Sequence, residues 1–359
     1  MRNSYRAFVC PLAILASAQV WATQYTQVNL VSDQAGHALN LDPDLVNPWG
    51  LAISPTGPMW SANNGTGTAT LYNTNGTKQG LVVSIPGTGA ATGQVFNGGG
   101  GFNVTEGGKS GTSLFMFASE DGTISGWAPS VAATHAVTAV DLSTANASFK
   151  GLGIGGGKLF AADFANGQVD MFDSSFNLTG HFTDPNLPTD YNPFNAQVFG
   201  GALYVTFALR ASNGDNVNGA GLGYLDKFDL NGNFISRLVS QGPLNSAWGM
   251  AMAPGNFGEF SNDLLVGNFG DGMINAFDSN TGAFKGSITT QSGTFSEPGL
   301  WGLQFGNGIT GSTNTLYFAA GVNDEANGLY GRLDVVPEPA SMIALGGLCI
   351  AALKRRKKA

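Results

Sequence analysis

The sequence predicts an all-β protein: a six-bladed β-propeller closed by its N-terminal strand. Three observations predict it. A seven-residue pattern (glycine, any, apolar, any, any, large apolar, then usually Asp or Asn) recurs six times, spaced by 55, 45, 56, 49 and 56 residues, the period of four-stranded propeller blades. A short apolar strand precedes each copy. The last unit stops one strand short, and a spare strand lies at the other end of the chain. Composition agrees. Glycine supplies 53 of 359 residues and charged residues only 11%, so surface helix formers are scarce. With 43% apolar residues, the chain can build a core, which excludes general disorder.

Taken in order, residues 1–22 read as a secretory signal peptide, with Arg2 and Arg6, an apolar stretch from Ala7 to Ala16, and small-residue cleavage patterns at Ala16-Ser17-Ala18 and Val20-Trp21-Ala22. The propeller spans 23–335. The seven-residue copies start at Gly67, Gly122, Gly167, Gly223, Gly272 and Gly328, and each predicts a third strand. Before them lie second strands at Met59–Asn63, Leu114–Ser119, Leu159–Asp163, Leu203–Phe207, Leu264–Asn268 and Leu316–Ala320. Inner strands show best at Trp49-Gly50-Leu51, Trp248-Gly249-Met250 and Trp301-Gly302-Leu303. Turn formers such as Asn73-Thr-Asn-Gly76 lead to outer strands at Leu81–Ile85 and Phe234–Val239. Thr26–Val31 would supply the missing outer strand of the last unit and cover its exposed edge. A β-sandwich of regular hairpins is the competing architecture.

Residues 336–359 contain Pro337-Glu338-Pro339, an apolar run from Ala340 to Leu353 and the basic cluster 354–358. This order resembles the PEP-CTERM sorting signal. The resemblance implies an exosortase-type processing enzyme as partner, a Gram-negative bacterial host making exopolysaccharide, and export to the cell surface or extracellular matrix, with membrane contact only through this segment before processing. The apolar run is shorter than the ~20 residues of a relaxed spanning helix.

Pro243–Gly249, Leu264–Asp278, Gly299–Gly302, Leu316–Gly321 and Asp324-Glu325 resemble a family of secreted bacterial propellers without an assigned activity. More loosely, the second-to-third-strand units resemble NHL repeats, which implies a binding platform.

Charge narrows the partners. Of 16 Lys and Arg residues, two lie in 1–22 and five in 354–358, leaving nine against 23 Asp and Glu. A domain near −14 repels nucleic acid and anionic lipid, so neither is an expected partner. Cys10 and Cys349 lie in the two end segments, so the propeller has no thiol chemistry of its own.

In this topology the outer-to-inner and second-to-third-strand connections emerge on one face. The candidate ligand-binding residues gathered there are Asn47, Asn63, Asp163, Asn245, Asn268, Asp271, Glu297 and Asp324, with Asn64, Glu120, Asn323 and Glu325 beside them. A ring of carboxylates and amides suits Ca²⁺, which takes six to eight oxygen ligands; it equally suits sugar hydroxyls. The same residue types also form turns for local backbone reasons. No stretch matches an EF-hand loop, and Gly98–Gly101 and Gly155–Gly157 lack the Lys-Ser/Thr of a phosphate loop. His37, His135 and His181 map away from the central face, which disfavours a Ser-His-Asp triad or a histidine zinc site.

Two functions stay open at this point. One is an exported binding or scaffold module, for exopolysaccharide or a surface partner. The other is a calcium-dependent hydrolase: sugar lactonases are six-bladed propellers, and Glu297, Asn245, Asp163 and Asn268 resemble their ligand set. The catalytic residues are not legible. A filled channel favours binding; a deep one with converging carboxylates favours hydrolysis.

Overall fold

The computed structural model describes residues 25–336. Strand accounts for 52% of the described residues and helix for 2%, so the described part is all-β. The signal-peptide segment, the Pro337-Glu338-Pro339 motif and the basic cluster lie outside the described residues.

Five antiparallel four-stranded blades follow one another, rather than the six expected. The first comprises Pro48–Ile53, Met59–Asn63, Thr68–Tyr72 and Lys78–Ser84. The second comprises Ala91–Phe96, Phe115–Ser119, Thr123–Trp127 and Val137–Asp141, with an inserted hairpin of Asn103–Glu106 and Lys109–Thr112. The third runs through Phe149–Gly155, Lys158–Asp163, Gln168–Phe172 and Leu178–Phe182. The fourth holds Tyr191–Phe199, Ala202–Leu209, Tyr224–Phe228 and Phe234–Ser240; the fifth holds Ala247–Met252, Leu264–Asn268, Ile274–Phe277 and Phe284–Ser287.

The remaining strands form one seven-stranded sheet. Leu300–Phe305, Thr315–Ala320 and Leu329–Val335 lie side by side, and the N-terminal strand Tyr25–Ser32 pairs antiparallel with Leu329–Val335. The sheet grows past four strands because Thr289–Thr290 and Asn40–Leu41 both pair in parallel with Tyr25–Ser32, and Gly293–Thr294 pairs with Thr289–Thr290. These are two-residue strands, too short to carry any periodicity in sequence.

Inner strands of successive blades pack side by side, and Leu300–Phe305 lies between the inner strands of the fifth and first blades. Glycine makes this approach possible. A Cβ on Gly249 would sit 2.4 Å from the Trp301 carbonyl oxygen, and one on Gly302 would sit 2.4 Å from that of Trp49. The Trp-Gly pairs therefore mark where neighbouring backbones meet. Glycine at the start of the repeat serves two purposes. Gly67, Gly122, Gly167 and Gly272 have φ from 62° to 78° in the second-to-third-strand turn. Gly223 and Gly328 instead sit where a side chain would strike Leu244 and Leu45.

The core lies between blades. Tyr25 is fully buried, and its hydroxyl donates to the Phe257 carbonyl at 3.0 Å, tying the N-terminal strand to the fifth blade's first turn.

Candidate functional site

The centre of the ring is filled by aromatic side chains. Trp49, Trp248 and Trp301 each end a short passage from an outer to an inner strand. Two residues before each, the backbone turns left-handed: φ is 46° at Asn47, 46° at Ser246 and 70° at Gly299. That turn swings the following strand so that its tryptophan meets the other two in the channel. Trp49 stacks on Trp301 at 3.5 Å between centroids, and Trp248 meets both edge-on. Phe194 and Phe269 pack against Trp301 at 5.8 and 4.1 Å. The tryptophans thus join blades to one another across the axis, which goes beyond packing within a blade.

A polar chain lies over this plug on the upper face, where the outer-to-inner and second-to-third-strand loops emerge. Asn47 Nδ2 donates to Glu325 Oε2 at 2.9 Å and to Asn64 Oδ1 at 3.3 Å. Asn64 Nδ2 donates to Glu120 Oε2 at 3.0 Å, and Glu120 Oε1 pairs with Lys150. The Lys150 ammonium also lies 5.3 Å from the Trp49 ring centre. Trp301 Nε1 donates to Asn47 Oδ1 at 3.2 Å and Trp248 Nε1 to the Lys150 carbonyl at 2.8 Å, so plug and chain are one assembly.

Glu325 is held in an unusual backbone. Asn323, Asp324 and Glu325 are consecutive non-glycine residues with φ of 55°, 52° and 66°. L-residues avoid this region, and strain of this kind persists only where the surroundings enforce it. Burial pushes the Glu325 carboxyl above its ordinary range, against the Asn47 hydrogen bond, with the Glu120 charge pushing it further up. Beside it opens a cavity of about 360 Å³. Phe269 floors the cavity; Asp271, Asp324, Glu325 and Asn218 supply its polar edge.

The structure sorts the candidate residues. Asn47 joins the polar chain. Asn245 and Asn268 both donate to Asp271 Oδ2, at 3.2 and 3.3 Å, fixing that carboxylate at the cavity edge. Asp324 lines the same cavity. Asn63 does not reach it: fully buried, it donates to Thr68 and Thr70 of its own hairpin. Asp163 accepts from Asn166 in its own turn and from the Ser148 backbone N–H in the passage entering the same blade. Glu297 accepts from Gln27 of the N-terminal strand at 3.1 Å, and burial raises its pKa. It lines a separate cavity of about 390 Å³ together with His37. The lactonase-like set is therefore not assembled, because Asp163 and Glu297 are committed elsewhere. Among the described residues, no group of three His, Cys, Asp or Glu side chains is placed to hold a metal ion.

Sequence reasoning missed Lys150, the one cation in the polar chain, and Phe269, the cavity floor. A lysine in an inner strand carries no motif. Phe269 follows Asn268 in the apolar run and reads as core.

No family model matches the chain. Uncharacterized protein R648 of Acanthamoeba polyphaga mimivirus is 35% identical over 341 residues, 90% of this chain and 82% of its own length. Uncharacterized protein L690 of the same virus is 33% identical over 341 residues, 91% of this chain and 89% of its own length. These relatives overturn the expected membership of a secreted bacterial propeller family carrying a PEP-CTERM signal: they are viral proteins. Among solved structures, a glucose dehydrogenase matches with a TM-score of 0.51 at 14% identity, covering 88% of this chain and 100% of its own. A streptogramin B lyase matches with a TM-score of 0.50 at 11% identity, covering 88% and 98%. At such identities these likenesses show the β-propeller fold alone.

Proposed function

The chain belongs to the family of mimivirus proteins that includes R648 and L690, and we propose that it is a binding module whose upper face takes a neutral, polyhydroxylated ligand, a saccharide segment. One observation carries this reading: the cavity of about 360 Å³ beside the plugged channel pairs the half-buried Phe269 ring with Asp271, Asp324, Glu325 and Asn218. An aromatic face packs on the C–H face of a sugar, and carboxylates and amides accept from and donate to its hydroxyls. Asn245 and Asn268 hold Asp271 in place, and Asn47 holds Glu325, so the edge is set before a ligand arrives.

We read the seven-stranded sheet as the sixth blade of the ring. The position of Leu300–Phe305 between the fifth and first inner strands supports this. Export belongs to the same proposal, on the Arg-then-apolar order of residues 1–22. The hydrolase alternative draws no support from the placement of Glu297 and Asp163.

A neutral-glycan array probed with the full chain tests the binding reading. Retention of at least one neutral glycan that competes in free solution supports it. An array without any such glycan ends it.

A further inference from the structure

We propose a second binding site at the opposite, lower mouth of the channel, built for a small neutral molecule that carries a carboxamide or lactam edge on an apolar body. Below the tryptophans the inner strands surround a cavity of about 330 Å³, within the range of ligand pockets, which begins at about 300 Å³. It is independent of the upper-face cavity: the aromatic plug lies between them.

The cavity wall is apolar apart from Gln94, Gln197 and Gln304. Gln94 of the second blade and Gln197 of the fourth sit one level apart: Gln94 lies opposite Phe117 and Gln197 opposite Tyr204, two residues past Phe115 and one past Leu203, which hold equivalent places. At the level of Gln197 the last sheet carries Gln304, whose Nε2 donates to the Phe305 carbonyl at 3.2 Å. At the level of Gln94 the first, third and fifth blades carry Leu51, Leu152 and Met250. The fold therefore accepts an aliphatic side chain where Gln94 stands, yet the cavity keeps both the Gln94 and the Gln197 amide.

These amides are not used by the protein. Gln94 is 5% exposed, yet neither its Nε2 nor its Oε1 has a protein partner; Gln197 Oε1 is also buried without one. Buried polar groups are nearly always paired, so each exception calls for a reason. Both glutamines also border a narrow gap beside Trp248 that is too small for a water molecule, so a ligand meets them from the main cavity. Gln94 offers a donor and an acceptor side by side, and Gln197 a further acceptor. A carboxamide or lactam presents the complementary carbonyl and N–H on one edge. No charged side chain lines the cavity, so an ionic ligand would be buried without a counter-charge. Phe96, Phe199 and Phe305 at the mouth suit an apolar body.

Titration of the full chain with 3-phenylpropanamide, followed by ligand-observed NMR, tests the site. The comparators are 3-phenylpropanoate, which has the same shape with a charge, and propylbenzene, which lacks the amide. The amide is expected to bind saturably and at least about tenfold more tightly than either comparator. Gln94→Leu is expected to weaken the amide about tenfold and to leave propylbenzene unchanged. Its unfolding midpoint is expected to stay or rise, because leucine already occupies this level in the first and third blades. Should Gln94→Leu fail to fold, Gln197→Leu reads out the same loss. An amide that binds no better than propylbenzene overturns the site. So does a carboxylate that binds equally well, or an affinity that both variants leave untouched. None of these results bears on the upper-face cavity.

Discussion

Trp49 lies flat on Trp301, 3.5 Å between ring centroids and 18° between planes. The two come from opposite ends of the chain, and with Trp248 they close the centre of the ring. Trp301 is 1% exposed and touches Trp49, Trp248, Phe194 and Phe269. Trp301→Ala is expected to destabilise the protein by about 3–5 kcal/mol, the usual cost of a large aromatic cavity. Urea unfolding checks this; a midpoint equal to that of the unaltered protein would contradict the plug.

Close backbone approach gives a paired prediction. Gly302→Ala would set a Cβ 2.4 Å from the Trp49 carbonyl oxygen, a backbone atom that cannot move freely. It should cost about 1–3 kcal/mol through overpacking. Gly80→Ala, on an outer strand with nothing within 4 Å, should be neutral or stabilise by about 0.4–1 kcal/mol. Equal thermal midpoints for the two variants would refute the close approach.

The N-terminal strand is a structural part of the ring. Deleting residues 25–32 exposes the Leu329–Val335 edge and removes the buried Tyr25, Leu30 and Val31. The deleted chain should lose cooperative unfolding. The milder Tyr25→Phe removes only the hydrogen bond to Phe257 and should cost about 1 kcal/mol. A deletion with unchanged thermal unfolding would show that the strand is dispensable.

Asp170 gives a pH signature. Burial, with the neighbouring Asp163 charge, pushes its carboxyl up to about 6. The folded state therefore holds this proton more firmly than the unfolded state does. The resulting stability is complete below about pH 4 and is lost as pH rises through 6. Asp170→Asn should flatten the decline. Between pH 4 and 7.5 the unaltered protein should lose on the order of 2 kcal/mol relative to the variant. Parallel stability curves would contradict the shift.

The blades were legible because their signal repeats. The second strands read from sequence agree with the observed Met59–Asn63 and Leu264–Asn268, and elsewhere end within one or two residues. Five regular blades and a wider sheet were not separable from six, because Thr289–Thr290 joins the N-terminal strand through the single pair Tyr25 and Thr290. At the site, residue type alone could not divide turn formers from ligand-facing groups. Asn63 and Asn268 occupy equivalent turns and are both fully buried, yet only Asn268 reaches a cavity-lining carboxylate. Gln94 and Gln197 carry no motif: they share a Gln-Val-Phe tripeptide, but the strand registers set them one level apart, so only the structure brings them to the same cavity.

Isothermal titration of the full chain with a neutral oligosaccharide retained on the array, run beside Phe269→Ala, tests the binding reading most directly. The account predicts saturable binding that Phe269→Ala weakens about tenfold, with the fold intact by circular dichroism. Equal affinity in both proteins, or no heat of binding in either, would contradict it.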